Sequence, residues 1–76
     1  MFNNSNGDAN IFLFGVNLKR IRREHGFTAE KLAEEVGVST RIIFDYESGR
    51  KFPTTDRLVI ISNVLCVAMD SFFHDC

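Results

Sequence analysis

The chain has 76 residues, of which 45% are apolar and 25% charged, and a formal net charge of −1. A chain this short closes a single small core, burying roughly 60% of its unfolded surface, and its composition excludes the disordered and fibrous classes. No apolar run approaches the roughly 20 residues that a membrane-spanning helix needs, so no membrane contact is expected and the cytoplasm is the expected location.

The charge is unevenly spread. All nine Lys and Arg residues lie between Lys19 and Arg57, where seven carboxylates leave an excess of about +2, while the flanks carry only acids. Cys66 and Cys76 lack the spacing and the partners of a zinc site and are read as free thiols.

The opening "MFNNSNGDAN" is rich in Asn and Gly and has no apolar period, so residues 1–10 are expected to form a flexible tail and residues 11–76 the folded domain. Asp8 or Asn10 can cap the first helix. In it Phe14, Leu18 and Ile21 form one buried face, and Gly26 closes it after about His25.

Thr28 caps a second helix, "AEKLAEEV", with Ala29, Leu32, Ala33 and Val36 on one side. Gly37 then supplies the positive φ of a tight turn, Val38 an apolar anchor and Ser39 the next cap. A third helix covers roughly Thr40 to Ser48 and stops at Gly49. After "RKFP", Thr54 or Thr55 caps a fourth helix with Leu58, Ile61, Val64 and Leu65 as its stripe. A last short helix is expected from about Met69 to Phe73, with Val67, Phe72 and Met69 turned to the core.

Two short helices joined by a Gly-containing turn pack steeply when small residues sit at their crossing, and Ala33, Gly37 and Val38 meet that need. The second of such a pair protrudes, and its N-terminal end fits a DNA major groove about 12 Å wide. The segments "FGVNLKRIRREHGFT", "EKLAEEVGVS", "YESGRKFP" and "DRLVIISNVLCVAMDSFF" occur in an order and spacing that resemble the Cro/C1-type helix-turn-helix family, also called XRE-type repressors. The resemblance covers Phe14 to Phe73 and implies an all-α, five-helix, lambda-repressor-like DNA-binding domain.

The same resemblance implies a structural ion pair between Arg22 and Glu47 that braces the third helix. It places Thr40, Arg41, Phe44, Asp45 and Ser48 on the groove-facing side. Arg41 is the natural base reader, because its planar fork donates two hydrogen bonds to guanine. At the second position of helix two the family often carries Gln, and this chain has Ala29 instead, so one support is lost.

Phe44 and Asp45 depart from the pattern, and several readings stay open. Phe44 can press on a thymine methyl and Asp45 accept from cytosine; Asp45 can pair with Arg41 four residues earlier; or Ile42, Phe44 and Asp45 form a protein-binding surface. In the plainest reading Phe44 folds back over Ile43 and Asp45 is solvated. Ser39, Ser48, Arg50, Lys51, Thr54 and Thr55 are the candidate phosphate contacts. Cys66 stands where a Gly or Asn commonly closes helix four, as a small apolar filler or a reactive thiol.

His25 and His74 stand alone, so neither a metal site nor a cofactor is expected, and no nucleophile–base or phosphate-loop arrangement suggests an enzyme. The expected function is a sequence-specific transcriptional regulator, a repressor binding double-stranded DNA as a homodimer through Val67, Phe72 and Phe73. The alternative is an interaction module, such as an antitoxin or adaptor, that keeps the fold and binds a protein partner.

Overall fold

The computed structural model describes the backbone of residues 3–74 and the side chains of residues 10–74. It contains α1 (Asn3–Glu24), α2 (Ala29–Val36), α3 (Thr40–Ser48), α4 (Thr55–Leu65) and a 3-10 helix (Met69–Phe73), with no strand among the described residues.

The expected caps on the three middle helices are in place. The hydroxyls of Thr28, Ser39 and Thr54 accept from the backbone N–H groups of Lys31, Ile42 and Arg57 at 3.0, 3.2 and 3.2 Å. Each cap satisfies one of the donors that a helix start leaves without a partner. Gly37 closes α2 at φ 90°, and its N–H and that of Val38 both donate to the Ala33 carbonyl, at 2.8 and 3.0 Å. That folded-back turn ends α2 and leads through Val38 to Ser39, the cap of α3.

Three expectations are corrected. The first helix begins at Asn3, so Asp8 and Asn10 lie inside it instead of capping it. The chain's one proline is Pro53, so nothing between Asn3 and Glu24 forbids the helix, and Gly7 costs only about 1 kcal/mol. Once α1 is packed along Phe14, Leu18 and Ile21, extending it backwards requires no new nucleus.

The fifth segment is 3-10 rather than α-helical. It spans five residues, and its first-turn N–H groups receive no side-chain cap from Ala68. The tighter i to i+3 pattern suits so short a piece. Met69 is 40% exposed and not a core residue. The Cys76 thiol lies outside the described residues.

Phe14, Leu18, Leu32, Ile43, Ile61, Leu65 and Phe72 are fully buried. Phe14 is their hub: Phe72 and Phe52 meet it edge-on at ring-centroid distances of 5.3 and 5.1 Å. Beside it, Gly15 lets α1 touch α3, for a Cβ there would stand 2.6 Å from the carbonyl oxygens of both Tyr46 and Glu47. Asn17, missed by the sequence reading, is 2% exposed and donates to the carbonyls of Phe72 and His74 at 2.7 and 2.9 Å. A polar residue inside the Phe14–Leu18–Ile21 stripe is the signal that marks it.

Cys66 ends α4 in the left-handed region at φ 58°. It is exposed, so it is not an apolar filler. Its Sγ points back to the Asn63 carbonyl at 3.7 Å.

Candidate nucleic-acid interface

The orientation of α3 is set by an ion pair with α1. Arg22 donates to both carboxylate oxygens of Glu47, from Nε at 2.6 Å and from Nη2 at 3.2 Å, and its Nη1 donates to the Phe27 carbonyl at 2.9 Å. The side chains of Arg22 and Glu47 are 8% and 5% exposed. Such a fork is directional as well as charged, so it fixes the rotation of α3 about its own axis.

With α3 held this way, Arg41 projects into solvent with its side chain 77% exposed, and Phe44 is 50% exposed. Thr40 is half-buried and Ser48 exposed. Asp45 does not share this open face: it is 7% exposed and its carboxylate lies 3.7 Å from Arg41 Nε. Neighbouring Tyr46 and Ile43 turn inward, and Asp45 lies between the core and the open face. The acceptor for cytosine is therefore not presented, and the contact the carboxylate makes is with Arg41. Phe44 is not folded away over Ile43.

The phosphate candidates differ in what their polar atoms have left to give. Ser39 and Thr54 use their hydroxyl oxygens as acceptors in the caps, which leaves each O–H free to donate to an anion. Ser48 spends its O–H on the Asp45 carbonyl at 3.2 Å. That carbonyl also receives the N–H groups of Arg50 and Lys51, at 2.9 and 3.2 Å, so the turn that carries these two cations is fixed at its base. The side chains of Arg50 and Lys51 are exposed, as are Thr54 and Thr55 at the start of α4. By contrast, the cation of α2 is already engaged: Lys31 lies 3.3 Å from Glu35 and 3.6 Å from Glu34, and the hydrogen bond to Glu35, then the two negative charges, raise its pKa above the ordinary lysine value.

Among the residues expected at a dimer surface, Phe72 is 0% exposed and belongs to the monomer's core. Phe73 is half-buried and stacked on Phe14 at 6.0 Å, and Val67 is half-buried. Among the apolar side chains left open are Val59 and Ile60 of α4, at 38% and 40% exposure, and Met69. The sequence reading passed over Val59 and Ile60 because they fall outside the Leu58–Ile61–Leu65 stripe. No helix is long and apolar enough to cross a membrane, and no cluster of metal-ligating side chains is found among the described residues.

A model of the helix-turn-helix family matches residues 18–72. The chain is 36% identical over 53 residues to the uncharacterized HTH-type transcriptional regulator YobD of Bacillus subtilis (strain 168), covering 70% of this chain and 47% of that protein. It is 33% identical over 58 residues to the uncharacterized HTH-type transcriptional regulator YqaE of the same organism, covering 76% and 50%. It thus spans about half the length of the curated relatives it matches. The fold is similar to that of the restriction-modification controller protein C.AhdI from Aeromonas hydrophila, with a TM-score of 0.80 at 22% identity over 86% of this chain and 98% of that one. It is also similar to the clp gene regulator ClgR from Corynebacterium glutamicum, with a TM-score of 0.77 at 26% identity over 80% and 65%.

Proposed function

From a chain that belongs to the Cro/C1-type (XRE) helix-turn-helix family, we infer that this protein is a sequence-specific DNA-binding transcriptional regulator, acting as a repressor homodimer on a two-fold operator. The observation that carries this reading is the geometry of Arg41, whose side chain lies 77% exposed on the open side of α3. Its Nε is 3.7 Å from the buried Asp45 carboxylate, and its two terminal nitrogens are unpaired among the described residues. A side chain pre-aimed in this way loses less freedom on docking than a loose one, and its fork matches guanine in the major groove.

Thr40 and Phe44 flank Arg41 as the remaining base contacts. Phosphates are held by Ser39, Arg50, Lys51, Thr54 and Thr55, with Ser48 contributing only if its hydroxyl turns away from the Asp45 carbonyl. In the homodimer a second copy covers Val59, Ile60 and Met69, with Val67 and Phe73 at the margin, and sets the two recognition helices about 34 Å apart, one turn of the duplex. Occupying such a site blocks other proteins from it, which is repression in its simplest form.

Selection of duplexes from a random pool tests the reading. A consensus with inverted repeats supports it. Recovery of no preferred duplex sinks it in favour of an interaction module that uses the same fold to bind a protein.

A further inference from the structure

Beside the recognition helix runs an open cleft of about 300 Å³ whose walls are Lys19 and Arg23 of α1 and Phe44, Glu47 and Ser48 of α3. A second hollow continues it along α1, sharing Lys19, Arg23 and Glu47 and lined further by Val16, Arg20 and Glu24, the last two paired with each other at 3.2 Å. The floor carries little net charge, since Glu47 is locked to Arg22. The rim is cationic: Lys19 and Arg23 are exposed, and neither forms a salt bridge with another described residue. They stand four residues apart on one helix, where like charges repel each other. Two unneutralised cations held together on a rim are poised for an anion.

The position of this rim identifies the anion. An α-helix with its side chains is about 10–12 Å across and the major groove about 12 Å wide, so a helix lying in the groove has a sugar–phosphate wall close on either flank. Phe44 and Ser48 belong both to the open side of α3 and to the cleft, so Lys19 and Arg23 lie along one flank of that helix. Resting on the DNA-binding reading above, we propose that Lys19 and Arg23 form a second phosphate grip, holding the wall on the α1 side of the groove, apart from the grip formed by Arg50, Lys51 and the start of α4. The contact is with the backbone alone. It adds affinity and fixes how deeply α3 sits, and it carries no sequence preference of its own.

The salt dependence of duplex binding tests this, measured by fluorescence anisotropy on the whole chain and on Lys19→Gln, Arg23→Gln, Arg23→Lys and Lys31→Gln. The first two variants are expected each to lower the slope of log affinity against log salt by about 0.9, and to weaken preferred and scrambled duplexes by the same factor. Arg23→Lys keeps the slope. Lys31→Gln changes the net charge by the same amount away from the cleft and also keeps it. Equal melting temperatures for the variants establish that the fold is intact. A slope unchanged in both Gln variants overturns the proposal and leaves the cleft to an acidic protein segment, and an equal drop in Lys31→Gln overturns it as a general charge effect. Should the parent chain bind no duplex even at low salt, the DNA-binding reading itself falls and takes the second grip with it, whereas an unchanged slope in a parent that does bind removes the grip alone.

Discussion

Arg22 and Glu47, 25 residues apart in sequence, meet in a two-pronged ion pair with Nε–Oε2 at 2.6 Å and both side chains under one-tenth exposed. A pair so shielded is sensitive to losing one partner, because the other then keeps its desolvation cost with no compensating charge. Glu47→Ala is expected to destabilise the fold by roughly 3 kcal/mol, at the low end for a broken buried pair because the Phe27 carbonyl still accepts from Arg22. In a domain of this size that lowers Tm by roughly 12–24 °C. Glu47→Gln, which keeps the hydrogen bonds, should cost less. Equal melting of parent and Glu47→Ala would show that the brace contributes nothing.

The same contact between α1 and α3 depends on a residue with no side chain. A Cβ on Gly15 would sit 2.6 Å from two backbone carbonyl oxygens of α3, and backbone cannot swing aside as a flexible side chain does. Gly15→Ala should cost about 1–3 kcal/mol as overpacking and tilt α3 away from α1. Thermal unfolding reads the first effect, and amide shifts concentrated in α3 read the second. A variant that melts with the parent would place the close approach in doubt.

Cys66 offers the opposite sign. At φ 58° its Cβ is strained by about 1–2 kcal/mol relative to ordinary helical geometry, a strain that Gly lacks. Part of that gain is lost to the greater freedom of Gly in the unfolded chain. Cys66→Gly should therefore raise stability by roughly 0.5–1 kcal/mol, since the exposed thiol packs against little. A lower Tm would mean that the bond from Sγ to the Asn63 carbonyl matters more than the strain.

What could be read in advance follows from how local the physics is. Thr28, Ser39 and Thr54 cap their helices by bonds to residues three positions away, and Gly37 and Gly49 close theirs with their own φ angles, so a short window of sequence contains the cause and the effect. The resemblance over Phe14 to Phe73 supplied the Arg22–Glu47 pairing, which no local window contains. The start of α1 is hidden in the sequence because its first turns lack an apolar period, although no breaker stands in the way of the helix. The burial of Asp45 and the packing of Phe73 on Phe14 depend on how α3 and a 3-10 turn are rotated against α1. That rotation is fixed by Gly15, Arg22 and Asn17 acting across the fold, and Lys19 and Arg23 look like an ordinary solvated face until it is known.

The exposed apolar residues of α4 lead to a prediction about assembly. Ile60 of α4 is 40% exposed and belongs to the surface proposed above for a second copy, whereas Phe72 is wholly buried. Ile60→Ser should give a folded monomer by sedimentation, with a melting curve close to the parent's at concentrations where the parent is also monomeric. Phe72→Ser should instead unfold the chain, as losing a buried Phe side chain costs about 3–5 kcal/mol. A parent that sediments as a monomer at high concentration would remove the dimer, and an Ile60→Ser variant that remains dimeric would move its surface elsewhere.

The last prediction separates reading from gripping at the recognition helix. Arg41 is free at its tip and tied to Asp45 at its base, while Lys51 projects from the turn anchored on the Asp45 carbonyl. Arg41→Ala should cost about 1–3 kcal/mol on the preferred duplex and little on unrelated DNA, because only the correct base rewards the fork. Lys51→Ala should weaken all duplexes alike and lower the salt slope by about one unit, one counterion fewer being released. Asp45→Asn tests the link between the two. It keeps the shape of the side chain and removes the charge that aims Arg41, so affinity for the preferred duplex should fall. Binding to unrelated DNA should rise, because a negative charge near the phosphates has gone. If Asp45→Asn instead strengthens both to the same degree, Asp45 acts only by repulsion and Arg41 needs no guide. If Arg41→Ala loses equally on preferred and scrambled duplexes, α3 grips DNA without reading it, and sequence preference must come from the shape and bending of the duplex.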